Sequence, residues 1–129
     1  MKNNEPFRVL CVDDDKDNLE LMTYIFEQDG FDVTACPSLE ECLYQTRQNQ
    51  FSAIILDNRF GEETSLEVCR EIRSFNQTTP IIFYSGEARK KEIEKALKAG
   101  GNEYLVKPFG LDNIIDIVKR LVQETQIRV

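Results

Sequence analysis

A chain of 129 residues, 41% of them apolar, is long enough for one domain with its own core and too apolar for a disordered tail. Its formal charge of −7 weighs against nucleic-acid binding, and its lack of any histidine excludes a His-ligated zinc site, a Ser-His-Asp triad and service as a phosphohistidine carrier. Unbroken apolar runs reach only about four residues, far short of the ~20 of a membrane span, and Met1-Lys2-Asn3-Asn4-Glu5-Pro6 is a polar start without a secretion signal, so a cytoplasmic protein is expected.

Phe7 to Val12 reads as a first strand that runs into Asp13-Asp14-Asp15. A helix is expected over about Asp17 to Gln28, with Leu19, Met22, Ile25 and Phe26 at helical spacing and Asp29-Gly30 as its stop. Phe31 to Ala35 is a second strand, and Cys36-Pro37 turns the chain. Ser38 and Glu41 fit a capping box for a second helix that reaches about Gln48, with Leu39, Cys42 and Leu43 facing the core. Phe51 to Leu56 is a short apolar run that ends abruptly in Asp57, as a strand buried on both faces would.

Asn58 to Glu63 reads as a loop, and Thr64 with Glu67 as a second capping box opening a third helix with Leu66, Cys69 and Ile72 on one face. Thr78-Thr79-Pro80 breaks the pattern before a fourth strand, Ile81 to Tyr84, which ends in Ser85-Gly86. A fourth helix covers about Ala88 to Ala99, with Ile93, Ala96 and Leu97 inward, Glu94 and Lys98 paired outside and Gly100-Gly101 as the stop. Glu103 to Val106 is a fifth strand ending in Lys107-Pro108-Phe109. The last helix runs from Leu111 to about Glu124 and buries Ile114, Ile115, Val118, Leu121 and Val122. Cys11, Cys36, Cys42 and Cys69 have no Cys-x-x-Cys spacing and are expected to be reduced core residues.

Five strand–helix alternations imply an α/β domain with a parallel sheet and right-handed crossovers. Ligands bind such sheets beyond the carboxyl ends of the strands. The groups standing there are Asp13, Asp14 and Asp15, then Asp57, Ser85 and Lys107. One aspartate before a helix is ordinarily a cap, but three exceed what a cap requires. Carboxylates gathered in one cleft repel unless one takes up a proton or a hard cation intervenes, and oxygen-only ligands suit Mg²⁺. A metal, a lysine and a nucleophilic carboxylate are the parts of a phosphoryl-transfer site.

From Phe7 to about Glu124 the chain resembles the receiver (CheY-like) domain of two-component response regulators. The matching residues are Val12-Asp13-Asp14-Asp15, Leu56-Asp57, Ser85, and Tyr104-Leu105-Val106-Lys107-Pro108-Phe109. The resemblance implies a (βα)5, flavodoxin-like fold, a doubly wound five-stranded parallel sheet in the order 2-1-3-4-5, with residues 1–6 and 125–129 as tails around a receiver domain at 7–124. It implies Asp57 as phosphoacceptor, with Asp14 and Asp57 on Mg²⁺ directly, Asp13 through water, and the backbone carbonyl of Arg59 as a further ligand. Lys107, its bond to Pro108 usually cis, would pair with the phosphoryl group; Ser85 would swing toward it, and Tyr104 would turn inward as Ser85 moves. The implied partners are a sensor histidine kinase or histidine phosphotransfer protein, and a downstream protein at the face of the fourth helix, fifth strand and fifth helix, with no direct role for nucleic acid or membrane.

The family usually has Pro four residues after the acceptor and Gly eight after it, and here Gly61 and Ser65 stand at those positions. Gly61 is expected to loosen the loop. Gly86, where a small alanine is common, is expected to ease movement of the Ser85 loop. The first rival is a receiver-fold docking module that works unphosphorylated, against which stands the retention of all five site groups. A phosphatase of the Asp-x-Asp class would need Thr at the position of Asp17, and a flavodoxin-like carrier would need a phosphate-binding loop where three aspartates stand.

Overall fold

The computed structural model describes residues 5–108 and 110–128; Phe109, and residues 1–4 of the expected N-terminal tail, lie outside them. The strands are β1 (Arg8–Val12), β2 (Asp32–Cys36), β3 (Ala53–Leu56), β4 (Arg59–Phe60), β5 (Glu63–Thr64), β6 (Ile81–Ser85) and β7 (Glu103–Val106). The helices are α1 (Lys16–Gln28), α2 (Leu39–Gln48), α3 (Leu66–Phe75), α4 (Lys90–Ala99) and α5 (Leu111–Arg128).

The main sheet has the order β2-β1-β3-β6-β7 with every pairing parallel, which is the expected 2-1-3-4-5 once the short β4 and β5 are set aside. Every residue of β3 and β6 is buried because helices cover both faces of the sheet, which is why these strands read as unbroken apolar runs. The alternation of strand side chains divides the core in two. Val9, Cys11, Ile55, Ile82 and Tyr84 face α1 and α5, meeting Leu19, Met22, Phe26, Ile114 and Val118. Leu10, Ile54, Leu56, Ile81 and Phe83 face the opposite layer, meeting Cys42, Leu66, Cys69, Ile72 and Ala96. All four cysteines are free and buried, and burial pushes the Cys11 thiol up to about 12. Thiols so far from ionising pack as small apolar groups.

Four local expectations are corrected. Thr64 does not cap α3: it belongs to β5, the cap position is taken by Ser65, and the Ser65 hydroxyl is committed elsewhere. Leu97 is 42% exposed, because α4 turns Ala96 and Ala99 to the core instead. The ion pair on α4 joins Lys95 to Glu92 at 3.4 Å, not Glu94 to Lys98. Helix α5 runs four residues past Glu124 to Arg128, so positions 125–128 continue the helix where a tail was expected. The Ser38 cap forms as expected, its hydroxyl accepting from the Glu41 amide at 3.1 Å.

Candidate functional site

Three carboxylates and one ammonium meet where β1, β3 and β7 end. Each carboxylate is held by different means. Asp13 follows β1 and is 1% exposed. Its Oδ1 accepts from the Asp15 amide at 2.9 Å, and its Oδ2 accepts from Asn18 Nδ2 at 2.6 Å and from Lys107 Nζ at 2.8 Å. Asp15 turns away and caps α1, accepting from the amides of Asp17 and Asn18. The acidic triplet therefore divides its labour: two residues face the cleft, and the third satisfies the orphan amides of a helix start. Asp14 is exposed, with Oδ2 accepting from the Gly61 amide at 3.2 Å.

Asp57 is 8% exposed. Its Oδ1 accepts from the Arg59 amide at 3.2 Å, and its Oδ2 accepts from Lys107 Nζ at 3.2 Å. Burial pushes its carboxyl above the ordinary range; the Ser85 hydroxyl, Lys107 and the Arg59 amide pull it back, and Asp13 adds to the rise. For Lys107 burial works against the charge, but the paired Asp13 and Asp57 outweigh it and hold the ammonium above its ordinary value. One lysine thus pairs with two buried carboxylates. Carboxylate oxygens of Asp13, Asp14 and Asp57 lie within 4.8 Å of one another. An all-oxygen donor set of that charge fits a hard divalent cation.

The Lys107–Pro108 peptide bond is cis, as expected. Ser85 is fully buried, its Oγ accepting from the Glu87 amide at 3.2 Å. Tyr104 is half-buried with its hydroxyl turned inward. Its hydroxyl donates to the Glu87 carbonyl at 2.7 Å, and its ring stacks on Phe83 with centroids 5.7 Å apart and planes 11° apart. At the mouth of the cleft Arg89 grips both Glu87 carboxylate oxygens at 2.8 Å, and these hydrogen bonds hold the Glu87 carboxyl down at about 2.

The segment after Asp57 departs most from expectation. It is a two-stranded hairpin, Arg59 opposite Thr64 and Phe60 opposite Glu63. Gly61 does not loosen it but closes it, with φ at +61° in the two-residue turn Gly61-Glu62. A proline there could neither adopt that φ nor donate the amide that Asp14 receives. Ser65 is fully buried, and its hydroxyl donates to the Asp57 carbonyl at 2.8 Å while its amide donates to the Asn58 carbonyl at 3.0 Å. The two residues that differ from the family pattern are therefore those that fasten the hairpin to Asp14 and Asp57. Changing Ser65 to Ala should lower stability by about 1–2 kcal/mol, the loss of one buried hydrogen bond, read as a lower urea midpoint at unchanged slope. An unmoved midpoint would mean the bond contributes nothing net.

Asp13, Asp14, Asp57, Ser85 and Lys107 stand at this edge, and Tyr104 is linked to it through Asn58 and the Glu87 backbone. For Arg59 the bond to Asp57 runs from its amide, whereas the expectation concerned its carbonyl. Sequence reasoning missed Asn18, Asn58, the Ser65 hydroxyl and the hairpin. A glycine opening a two-residue turn was the signal for the hairpin. Asn18, three residues after the cap and thus facing back over the first turn, was the signal for the extra donor to Asp13.

Residues 9–119 match the family described as the response regulator receiver domain. The response regulator MprA of Mycobacterium sp. (strain KMS) is 31% identical over 120 residues, 93% of this chain and 52% of that protein. The nisin biosynthesis regulatory protein NisR of Lactococcus lactis subsp. lactis is 30% identical over the same shares. The chain thus spans about half the length of these curated relatives. Among solved structures, a CheY-like receiver domain protein from Methanospirillum hungatei JF-1 superposes with a TM-score of 0.91 at 22% identity, covering 96% of this chain and 99% of that one. The receiver domain of the Francisella response regulator 1452 gives 0.85 at 29% identity, covering 92% and 98%. The fold, the acidic cleft and the match over most of its length place this chain in the receiver domain family of two-component response regulators.

Proposed function

We propose that Asp57 accepts a phosphoryl group and that the change is read at the face formed by α4, β7 and α5. The observation that carries this reading is Lys107 Nζ placed between Asp13 and Asp57, at 2.8 and 3.2 Å, at the carboxyl edge of the sheet. An Asp57 oxygen forms the new P–O bond as phosphorus parts from the histidine nitrogen of a kinase or phosphotransfer protein, and the electron pair returns to the imidazole. These 129 residues contain no histidine and so do not themselves supply the phosphohistidine. Lys107 follows the charge onto the phosphoryl oxygens, and the buried Ser85 hydroxyl is the nearby donor that turns to them. Asp14, Asp57 and the Arg59 carbonyl, with Asp13 behind them, would hold Mg²⁺, which supplies neutralisation of carboxylate and phosphoryl charge when bound.

The chemistry is confined to gaining and losing this one group, so the domain acts as a switch and not on other substrates. The receiver unit runs from residue 7 through α5, which continues to Arg128. No helix of the described residues is long and apolar enough to cross a membrane. Leu97, 42% exposed on α4, gives the reading face an apolar contact for a downstream protein. The matched relatives include named transcriptional and biosynthetic regulators. In a longer protein of that kind, a second domain would carry the output.

Intact-mass spectra after incubation with Mg²⁺ and a small phosphodonor, with and without EDTA, test the reading. One Mg²⁺-dependent phosphoryl adduct is expected, absent after Asp57→Ala while the variant stays folded. Adduct formation persisting in that variant overturns the assignment.

A further inference from the structure

Asn58 follows the phosphoacceptor, is fully buried, and is the one described residue with a buried side-chain atom, Oδ1, that has no hydrogen-bond partner. Such a group is ordinarily selected against, since an orphaned amide oxygen in the interior is destabilising and an apolar side chain of similar volume would avoid it. What the amide gains is a contact on its other end. Asn58 Nδ2 donates to the Tyr104 hydroxyl at 3.3 Å, and that hydroxyl donates onward to the Glu87 carbonyl at 2.7 Å. The Glu87 amide in turn donates to Ser85 Oγ. A chain of hydrogen bonds thus joins the residue after Asp57 to the ring of β7 and to the loop after β6.

We propose that Asn58 is a positioning residue that holds Tyr104 inward in the unmodified protein, so that the reading face is partly set before any phosphoryl group arrives. The proposal rests on the reading of Asp57 and Tyr104 given above, but concerns the chain without phosphate. Three features support it. The hydroxyl of Tyr104 has its proton on the Glu87 carbonyl and one lone pair on Asn58, so both ends of its hydrogen bonding are met inside and there is little to gain by turning out. The Phe83 ring stacked on Tyr104 provides the apolar floor for that position. The bare Oδ1 of Asn58 lies on the same amide, a reserve acceptor to which the hydroxyl can turn when the Glu87 loop moves. This third feature gives the orphan a use.

Tyrosine nitration followed by peptide mass mapping reads the inward position directly in the unphosphorylated, EDTA-treated protein. Tyr24 and Tyr44, 62% and 61% exposed, report full reactivity, and Tyr84, 5% exposed, reports protection. Tyr104 should react more slowly than Tyr24 and Tyr44 in the wild type. In Asn58→Leu, which keeps the branched outline and removes the donor, the inward-to-outward ratio of Tyr104 should fall about fivefold, the equilibrium equivalent of one neutral hydrogen bond. Protection of Tyr104 unchanged in a folded Asn58→Leu protein overturns the proposal, as does a wild-type Tyr104 that reacts like Tyr24. A double-mutant cycle of Asn58→Leu with Tyr104→Phe, read by denaturation, keeps the test open if nitration itself perturbs the fold. Non-zero coupling is expected, and strict additivity overturns the contact. Neither readout requires phosphorylation, so failure here leaves the Asp57 assignment standing, and loss of the Asp57 adduct leaves this result intact.

Discussion

Replacing Lys107 with methionine should destabilise the metal-free chain by about 2–3 kcal/mol at neutral pH, seen as a fall of roughly 10 °C in the unfolding temperature. Methionine keeps the stem and its packing, so the change isolates the charge. Removing one partner of a buried ion pair ordinarily costs about 3–5 kcal/mol, because the remaining charge stays buried and unpaired. The lower figure applies here because the Lys107 side chain is 24% exposed and Asp57 can take up a proton instead. Two carboxylates, not one, lose their cation, since Lys107 Nζ bonds both Asp13 and Asp57. Saturating Mg²⁺ should restore more stability to the variant than it adds to the wild type, as the acidic cluster then has a second source of positive charge.

The pH dependence of that difference has a definite sign. The folded-state carboxyl of Asp57 lies above its ordinary value, so its contribution favours the fold at low pH and is lost as pH rises through that raised value. In the variant Asp57 loses the opposing pull of Lys107, and its carboxyl rises further. The ammonium of Lys107 is likewise held above its ordinary value in the wild type, so the stability it contributes is full below about pH 10 and is lost only above it. Wild type and variant should therefore differ least in acid, where the Asp57 carboxyl is protonated in both, and most between neutrality and about pH 9. Thermal melts across that range in EDTA measure it. A gap that stays constant with pH would mean that the loss does not come from the pairing of the lysine with titrating carboxylates.

The parts of this protein legible in its sequence are those fixed by periodicity and by strand ends. Ile54-Ile55-Leu56 and Ile81-Ile82-Phe83 announced strands buried on both faces, and the groups just beyond such strands had to meet at one edge of the sheet. What was not legible depended on choices between equally plausible local hydrogen bonds. Thr64 and Ser65 both suit a helix start. The tertiary structure decided between them, because the carbonyl of Asp57 lies within reach of the Ser65 hydroxyl and the hairpin claims Thr64. Gly61 could have meant slack or a tight turn, and only the pairing of Arg59 with Thr64 distinguishes these. Asp13 and Asp15 are the same residue type two positions apart, and their opposite roles follow from the direction the chain takes on leaving β1. Asn58 was invisible for a related reason: a polar residue after a strand reads as loop, and its full burial depends on Tyr104 and the hairpin closing over it.

Shortening Phe83 to Ala should have the largest effect on stability of any single change considered, about 3–5 kcal/mol out of a domain total on the order of 5–15 kcal/mol. The ring is fully buried in β6 among Leu56, Ile72 and Ala96, and its loss leaves a cavity that a closely packed sheet cannot collapse. Gly101 is matched to the same ring, since a Cβ added there would lie 2.7 Å from Phe83 Cδ1 and Cε1. Gly101→Ala alone should therefore destabilise by about 1–3 kcal/mol through overpacking. In the Phe83→Ala background the clash partner is gone, so the second change should do little harm or partly refill the void. Chemical denaturation of the four proteins measures the coupling, and additive losses would mean that the Ala96 carbonyl oxygen, 3.2 Å from the added Cβ, and not the ring, sets the requirement for glycine. The same substitution removes the surface on which the Tyr104 ring stacks. Phe83→Leu, which keeps most of the volume but not the flat face, should hold the fold and still raise the nitration of Tyr104, separating the support of that ring from the stability of the sheet.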